Sequence, residues 1–131
     1  FINRYPKSSS VETGNKLIDE LRARLHEKAF NTAMLYYNME SYLSAYTSFK
    51  NATIDFPDIP NKELVDFYIV KSAYLYAKQS VKTLQEDRFG TAVEEAKEYL
   101  TIYTDNKYVK EVKQIQSDSE ERIVKLQATP N

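Results

Sequence analysis

The sequence has no cysteine, no tryptophan and a single histidine, and only two glycines and four prolines among its 131 residues. Without cysteine there are no disulfides and no thiolate metal sites. With His26 as the only imidazole, neither a histidine-rich metal site nor a Ser–His or Cys–His nucleophile is evident. Gly14 and Gly90 stand alone, so there is no glycine-rich loop to cradle a phosphate. No run approaches the roughly 18 consecutive apolar residues of a bilayer-spanning helix. Charge of one sign is also missing: 18 basic and 19 acidic residues are intermixed for a net charge of −1, which leaves no basic stripe to recruit a nucleic-acid backbone. The scarcity of glycine and proline favours long helices and few tight turns.

What the chain does have is aromatic side chains, 11 tyrosines and 6 phenylalanines, set at regular intervals from small residues. Ala33, Tyr36, Ala45, Phe49, Ala52 and Phe56-Pro57 follow the spacing of a tetratricopeptide repeat. In that helix-turn-helix unit, small residues let two helices approach and aromatics fill the space beside them. Such repeats are binding scaffolds. The reading is an all-α, tetratricopeptide-like solenoid of about five helices.

Three segments align as repeat endings: Phe1-x-x-x-Tyr5-Pro6, Ala52-x-x-x-Phe56-Pro57 and Tyr99-x-x-x-Tyr103-Thr104. Their periods of 51 and 47 residues exceed the usual length of about 34, which predicts lengthened helices. The organisation that follows is one all-α domain: 1–7 as the end of a preceding repeat, 8–58 and 59–105 as repeats, 106–127 as a capping helix. The opening residues predict a fragment of a longer protein. Ser9-x-x-Glu12 reads as a capping box for a first helix running from Val11 to Glu40. Its apolar positions are Leu17, Ile18, Leu21, Leu25, Phe30, Ala33, Met34 and Tyr37. Further helices are expected from about Tyr42 to Asp55, Asn61 to Gln85, Asp87 to Tyr103 and Lys107 to Leu126, the last capped by Asn106. Ala33 and Ala45 are 12 apart, whereas Ala73 and Ala92 are 19 apart. Seven extra residues are almost two turns, so the inward face keeps its phase.

Catalytic chemistry is not indicated. His26 lies among Arg22, Arg24, Glu27 and Lys28 and reads as a surface residue. Glu94, Glu95, Glu98, Glu120 and Glu121 read as solvated helix faces rather than an acid–base pair. The polar stretch Gln116 to Glu121 reads as the outward face of a terminal cap. Tyr36, Phe49, Phe56, Tyr76, Phe89, Tyr99 and Tyr103 are expected in the core. By register, the inner face of each repeat's first helix carries Glu27, Phe30, Met34, Tyr37 and Asn38, then Phe67, Val70, Tyr74 and Lys78. Phe30, Met34, Tyr37, Asn38 and Tyr74 are the partner-binding candidates on a concave face. No metal or cofactor is implied.

These residues resemble the BamD (YfiO) family, lipid-anchored components of the machinery that inserts β-barrels into bacterial outer membranes. The likeness rests on Phe1-Ile-Asn-Arg-Tyr-Pro-Lys-Ser8, then Leu21-Arg-x-Arg-Leu-x-Glu-Lys-x-Phe30-x-x-Ala33-x-x-Tyr36-Tyr37. It continues through Tyr42-x-x-Ala45-x-x-x-Phe49, Phe56-Pro57-Asp58 and Arg88-Phe89-x-x-Ala92, and covers roughly residues 1–115. Thr104 stands where proline is expected, and Ala29 and Thr32 replace large residues. The resemblance implies a non-catalytic scaffold on the periplasmic face of the outer membrane, lipid-anchored in the full-length protein. Its implied partners are the POTRA domains of the central barrel-inserting subunit, other assembly lipoproteins or nascent barrel proteins. Another periplasmic tetratricopeptide adaptor, in cell-envelope coordination or secretion, shares the fold and remains the alternative.

Overall fold

The computed structural model describes residues 6–128, with side chains described from residue 11 onward. Five helices make up the described residues: α1 (Pro6–Asn38), α2 (Tyr42–Asp55), α3 (Lys62–Gln79), α4 (Lys82–Ile102) and α5 (Val109–Ala128). Each helix packs on the next in chain order, and α3 also touches α5, which gives a solenoid-like stack. The all-α reading with five helices is what the structure has. The ending assigned to Phe1–Tyr5 lies outside the described residues.

Pro6 is the first residue of α1, where its fixed φ and missing N–H cost nothing. The helix therefore runs through Ser9 and Glu12, and the expected capping box is an interior turn instead. Pro6 and Lys7 are the first described residues of α1. The far end closes with a reversal in which Ser41 N–H donates to Tyr36 C=O at 2.9 Å and Glu40 N–H to Tyr37 C=O at 3.0 Å. That pair is a Schellman ending. It places Glu40 at φ 63°, a left-handed conformation that usually selects glycine.

Ala33, Ala45, Phe49 and Ala52 meet between α1 and α2, joined by Ile59 from the connecting turn and Val65 and Ile69 from α3. Phe67, Val70, Ala96, Tyr99, Val112 and Ile115 form the second cluster, between α3, α4 and α5. Helix α3 thus serves both clusters and is buried on more than one side, with Ser72, Ala73 and Ala77 also inside. Phe49, Phe89 and Tyr99 are fully in the core as expected, while Tyr36, Phe56, Tyr76 and Tyr103 are half-buried. A polar tie crosses the two hairpins: Glu95 accepts from Tyr46 Oη at 2.6 Å and from Lys50 Nζ at 2.7 Å. Glu95 is therefore a packed structural group and not part of a solvated face. Burial, and then the bond to this carboxylate, push the Tyr46 phenol up to about 12.

The seven-residue insertion lies elsewhere than expected. Helix α3 stops at Gln79, not Gln85, and α4 starts at Lys82, so the added turns extend the N-terminus of α4. Side chains end α3. Ser80 Oγ donates to Tyr76 C=O at 2.6 Å, and Gln85 Nε2 donates to Ala77 C=O at 3.2 Å. Arg88 donates to Ser80 Oγ at 2.8 Å while its guanidinium lies 4.4 Å over the Tyr76 ring. The lengthened start of α4 lies against the end of α5, where Gln127 Nε2 donates to Glu86 at 2.9 Å.

Asn106 does cap α5: its Oδ1 accepts from the N–H groups of Tyr108 at 2.9 Å and Val109 at 3.1 Å. The polar middle of α5 is not an outward cap, because Ser119 is buried and Asp118 turns toward α3. Those residues continue the Val109, Val112, Ile115 stripe at helical spacing.

Candidate functional site

Helices α1, α3 and α5 are the first helices of successive units, and polar bridges join them on a shared face. Lys71 of α3 pairs with Glu111 of α5 at 3.0 Å and has the Tyr37 hydroxyl of α1 as a second partner. Burial lowers the Lys71 ammonium, but Glu111 and Tyr37 outweigh it and hold the group above its ordinary value. One turn on, the Tyr74 hydroxyl donates to Asp118, which also accepts from Arg122 Nε at 2.7 Å. Burial raises Asp118, yet the Tyr74 and Arg122 bonds prevail and its carboxyl sits below the usual range. Burial followed by the bond to Asp118 pushes Tyr74 up to about 12.

Two depressions open on this face. The first is an apolar pocket of about 290 Å³ between α1 and the α2–α3 turn, lined chiefly by Ala23, Phe30, Ile59, Pro60 and Leu64, with Glu27 at its edge. The second is an open cleft of about 500 Å³ between α3 and α5, lined by Tyr74, Lys107, Lys110, Glu111, Gln114 and Asp118. Leu64 and Tyr74 are ten residues apart on α3, so the two depressions are separated by about 15 Å along that axis.

The five candidate residues divide between these places. Phe30 lines the apolar pocket and meets Phe49 edge-on at 6.0 Å. Met34 and Tyr37 are half-buried against the first cluster, and Tyr37 meets Tyr68 edge-on at 4.9 Å and Tyr42 at 5.5 Å. Asn38 is exposed at the end of α1. Tyr74 belongs to the second cluster and lines the lysine-rich cleft. Phe67 and Val70, placed on the groove face by register, are core residues instead, because α5 covers them. Lys107, Lys110, Gln114 and Asp118 were outside the register-based reading, since no repeat spacing ties α5 to the preceding pairs.

His26 is not a surface residue; it is 8% exposed, with its ring edge-on to Phe56 at 4.8 Å. It precedes Phe30 and Ala33 by four and seven residues, a spacing that places it on the side of α1 that faces α2. Its Nε2 lies 3.6 Å from Asp58, which Arg22 already holds at 2.7 Å. Among the described residues no group of three acidic or imidazole side chains could hold a metal ion. Nor is any described helix long and apolar enough to cross a membrane.

Fold and surface together define a helical-repeat protein with an open, tyrosine- and lysine-bearing face. No family model matches the chain, and no curated protein matches it in sequence.

Proposed function

We propose that this chain is a non-catalytic scaffold that binds a protein partner on the α1/α3/α5 face. The observation that carries the reading is the juxtaposition of an apolar pocket at Phe30 with a polar cleft at Tyr74 on one face of stacked hairpins. A buried anchor beside a polar rim is the layout through which protein interfaces gain affinity. Against an enzymatic reading, the nearby carboxylates Asp58, Glu111 and Asp118 are each engaged by a cation in an ion pair.

The resemblance to the BamD (YfiO) family supplies the finer reading: a component of the outer-membrane β-barrel assembly machinery, on the periplasmic face and lipid-anchored in the full-length protein. Its partners there are POTRA domains of the central barrel-inserting subunit, other assembly lipoproteins or nascent barrel segments. The test is a calorimetric titration with the last POTRA domain of the same organism's barrel-inserting subunit. Ala23→Glu with Asn38→Glu adds charge to the face without disturbing the core, because both residues are exposed. Saturable binding that weakens at least about tenfold in this variant supports both role and face. Equal binding by the variant moves the interface to another face. Absence of binding removes the barrel-assembly role and leaves the adaptor reading.

A further inference from the structure

We propose that the cleft between α3 and α5 is a carboxylate-recognising subsite, and that its occupant is an extended acidic segment of a partner protein. The inference rests on the scaffold reading and gives the partner's chemistry at one place.

Five cations and two carboxylates surround the cleft: Lys71, Lys78, Lys107, Lys110 and Arg122 against Glu111 and Asp118. Glu111 is taken by Lys71 at 3.0 Å and Asp118 by Arg122 at 2.7 Å. That leaves Lys78, Lys107 and Lys110 without a carboxylate in ion-pair contact among the described residues. Lys78 rests 5.3 Å from the Tyr74 ring centre and Lys107 5.3 Å from that of Tyr108, so two of the three ammoniums are positioned by aromatic faces. A local surplus of three positive charges stands out in a chain whose net charge is −1. The acidic side chains are gathered elsewhere, including Glu86, Asp87 and Glu94 beside a depression along α4.

Shape selects an extended segment. The cleft of about 500 Å³ is open along α5 and is too shallow to enclose a small anion on all sides. Gln114 and the Tyr74 ring add an amide and an apolar surface between the lysines. A backbone lying there could present alternate acidic side chains to Lys107 and Lys110.

The test is fluorescence anisotropy with a labelled hexapeptide bearing three glutamates, beside its counterpart bearing three glutamines. The protein variants are Lys107→Gln with Lys110→Gln, and, as a charge-matched control, Lys16→Gln with Lys97→Gln on distant helix surfaces. The expected result is saturable binding of the glutamate peptide that weakens with salt, falls about tenfold in the cleft variant and is unchanged in the control. The glutamine peptide should not compete. Equal affinity in both variants, equal binding of both peptides, or no saturable binding overturns the proposal. Far-UV circular dichroism confirms that both variants keep their helices. Because the POTRA titration uses neither peptide nor lysine variants, the scaffold reading can fail or stand independently.

Discussion

The α1–α2 and α3–α4 hairpins share a packing scheme but end their first helices by different means. At α1 main-chain bonds make the reversal, with Glu40 held at φ 63° and its carbonyl met from outside by Gln79 Nε2 at 3.5 Å. At α3 the backbone stays in ordinary regions; the Ser80 and Gln85 side chains donate to the last carbonyls, and Arg88 donates to the Ser80 hydroxyl. The contrast teaches that a repeat conserves the contact between its helices, not the device that closes them. Ala33 against Ala45 and Ala73 against Ala92 are buried alike, although 12 residues separate the first pair and 19 the second.

The strongest challenge to that equivalence is removal of the central aromatic of each hairpin. Phe49→Ala and Phe89→Ala should each lower unfolding stability by about 3–5 kcal/mol in urea titrations followed by circular dichroism. Both should do so in one transition, since α3 belongs to both clusters. Two separated transitions would mean that the hairpins melt independently.

The closing devices themselves should respond with opposite signs. Glu40→Gly relieves a left-handed side chain and should raise stability by about 1 kcal/mol. Ser80→Ala removes a donor to Tyr76 and an acceptor for Arg88, and should lower it by about 1 kcal/mol. If both variants destabilise, Glu40 makes a contact that outweighs its strain.

A pH comparison follows from Asp58 and Asp118, two cation-held carboxylates with depressed values. Arg22, chiefly through its hydrogen bonds, holds Asp58 down to about 2. Its folded value is below the unfolded one near 4, so the contribution is present above that value and is lost as pH falls toward 2. In a carbon-detected NMR titration, Arg22→Ala should bring Asp58 back to about 4, while Asp118 keeps its depressed value. A midpoint for Asp58 that ignores the substitution would break the assignment.

The smallest effect is expected where α1 extends beyond α2. Leu17, Ile18 and Leu21 are 61%, 61% and 56% exposed there, in contrast to the buried Ala33 further along the same helix. Leu21→Ala should change stability by less than about 0.5 kcal/mol in the same urea titration. A larger loss would show that this stretch is covered in solution.

Much of the fold is legible in the residues, and the misplaced parts have physical causes. Tyr42–Asp55 emerges with the boundaries its small-and-aromatic spacing predicts, because Ser41 and Pro57 bracket an uninterrupted pattern. The α3–α4 boundary is missed because its stop signal is a set of side-chain bonds spread over Ser80, Gln85 and Arg88, with no glycine or proline to mark it. The candidate site divides similarly. Phe30 and Tyr74 could be named from repeat register, whereas Phe67 and Val70 lose their exposure only when α5 packs over them.

Periodicity and composition by themselves determined an all-helical chain, its small-to-aromatic helix contacts and the Asn106 cap, since each depends on residues close in sequence. Tertiary structure decided the rest. Which apolar stripe is buried, where His26 points, and which lysines are left without a carboxylate depend on neighbours 20 to 60 residues away, and no local spacing encodes those distances.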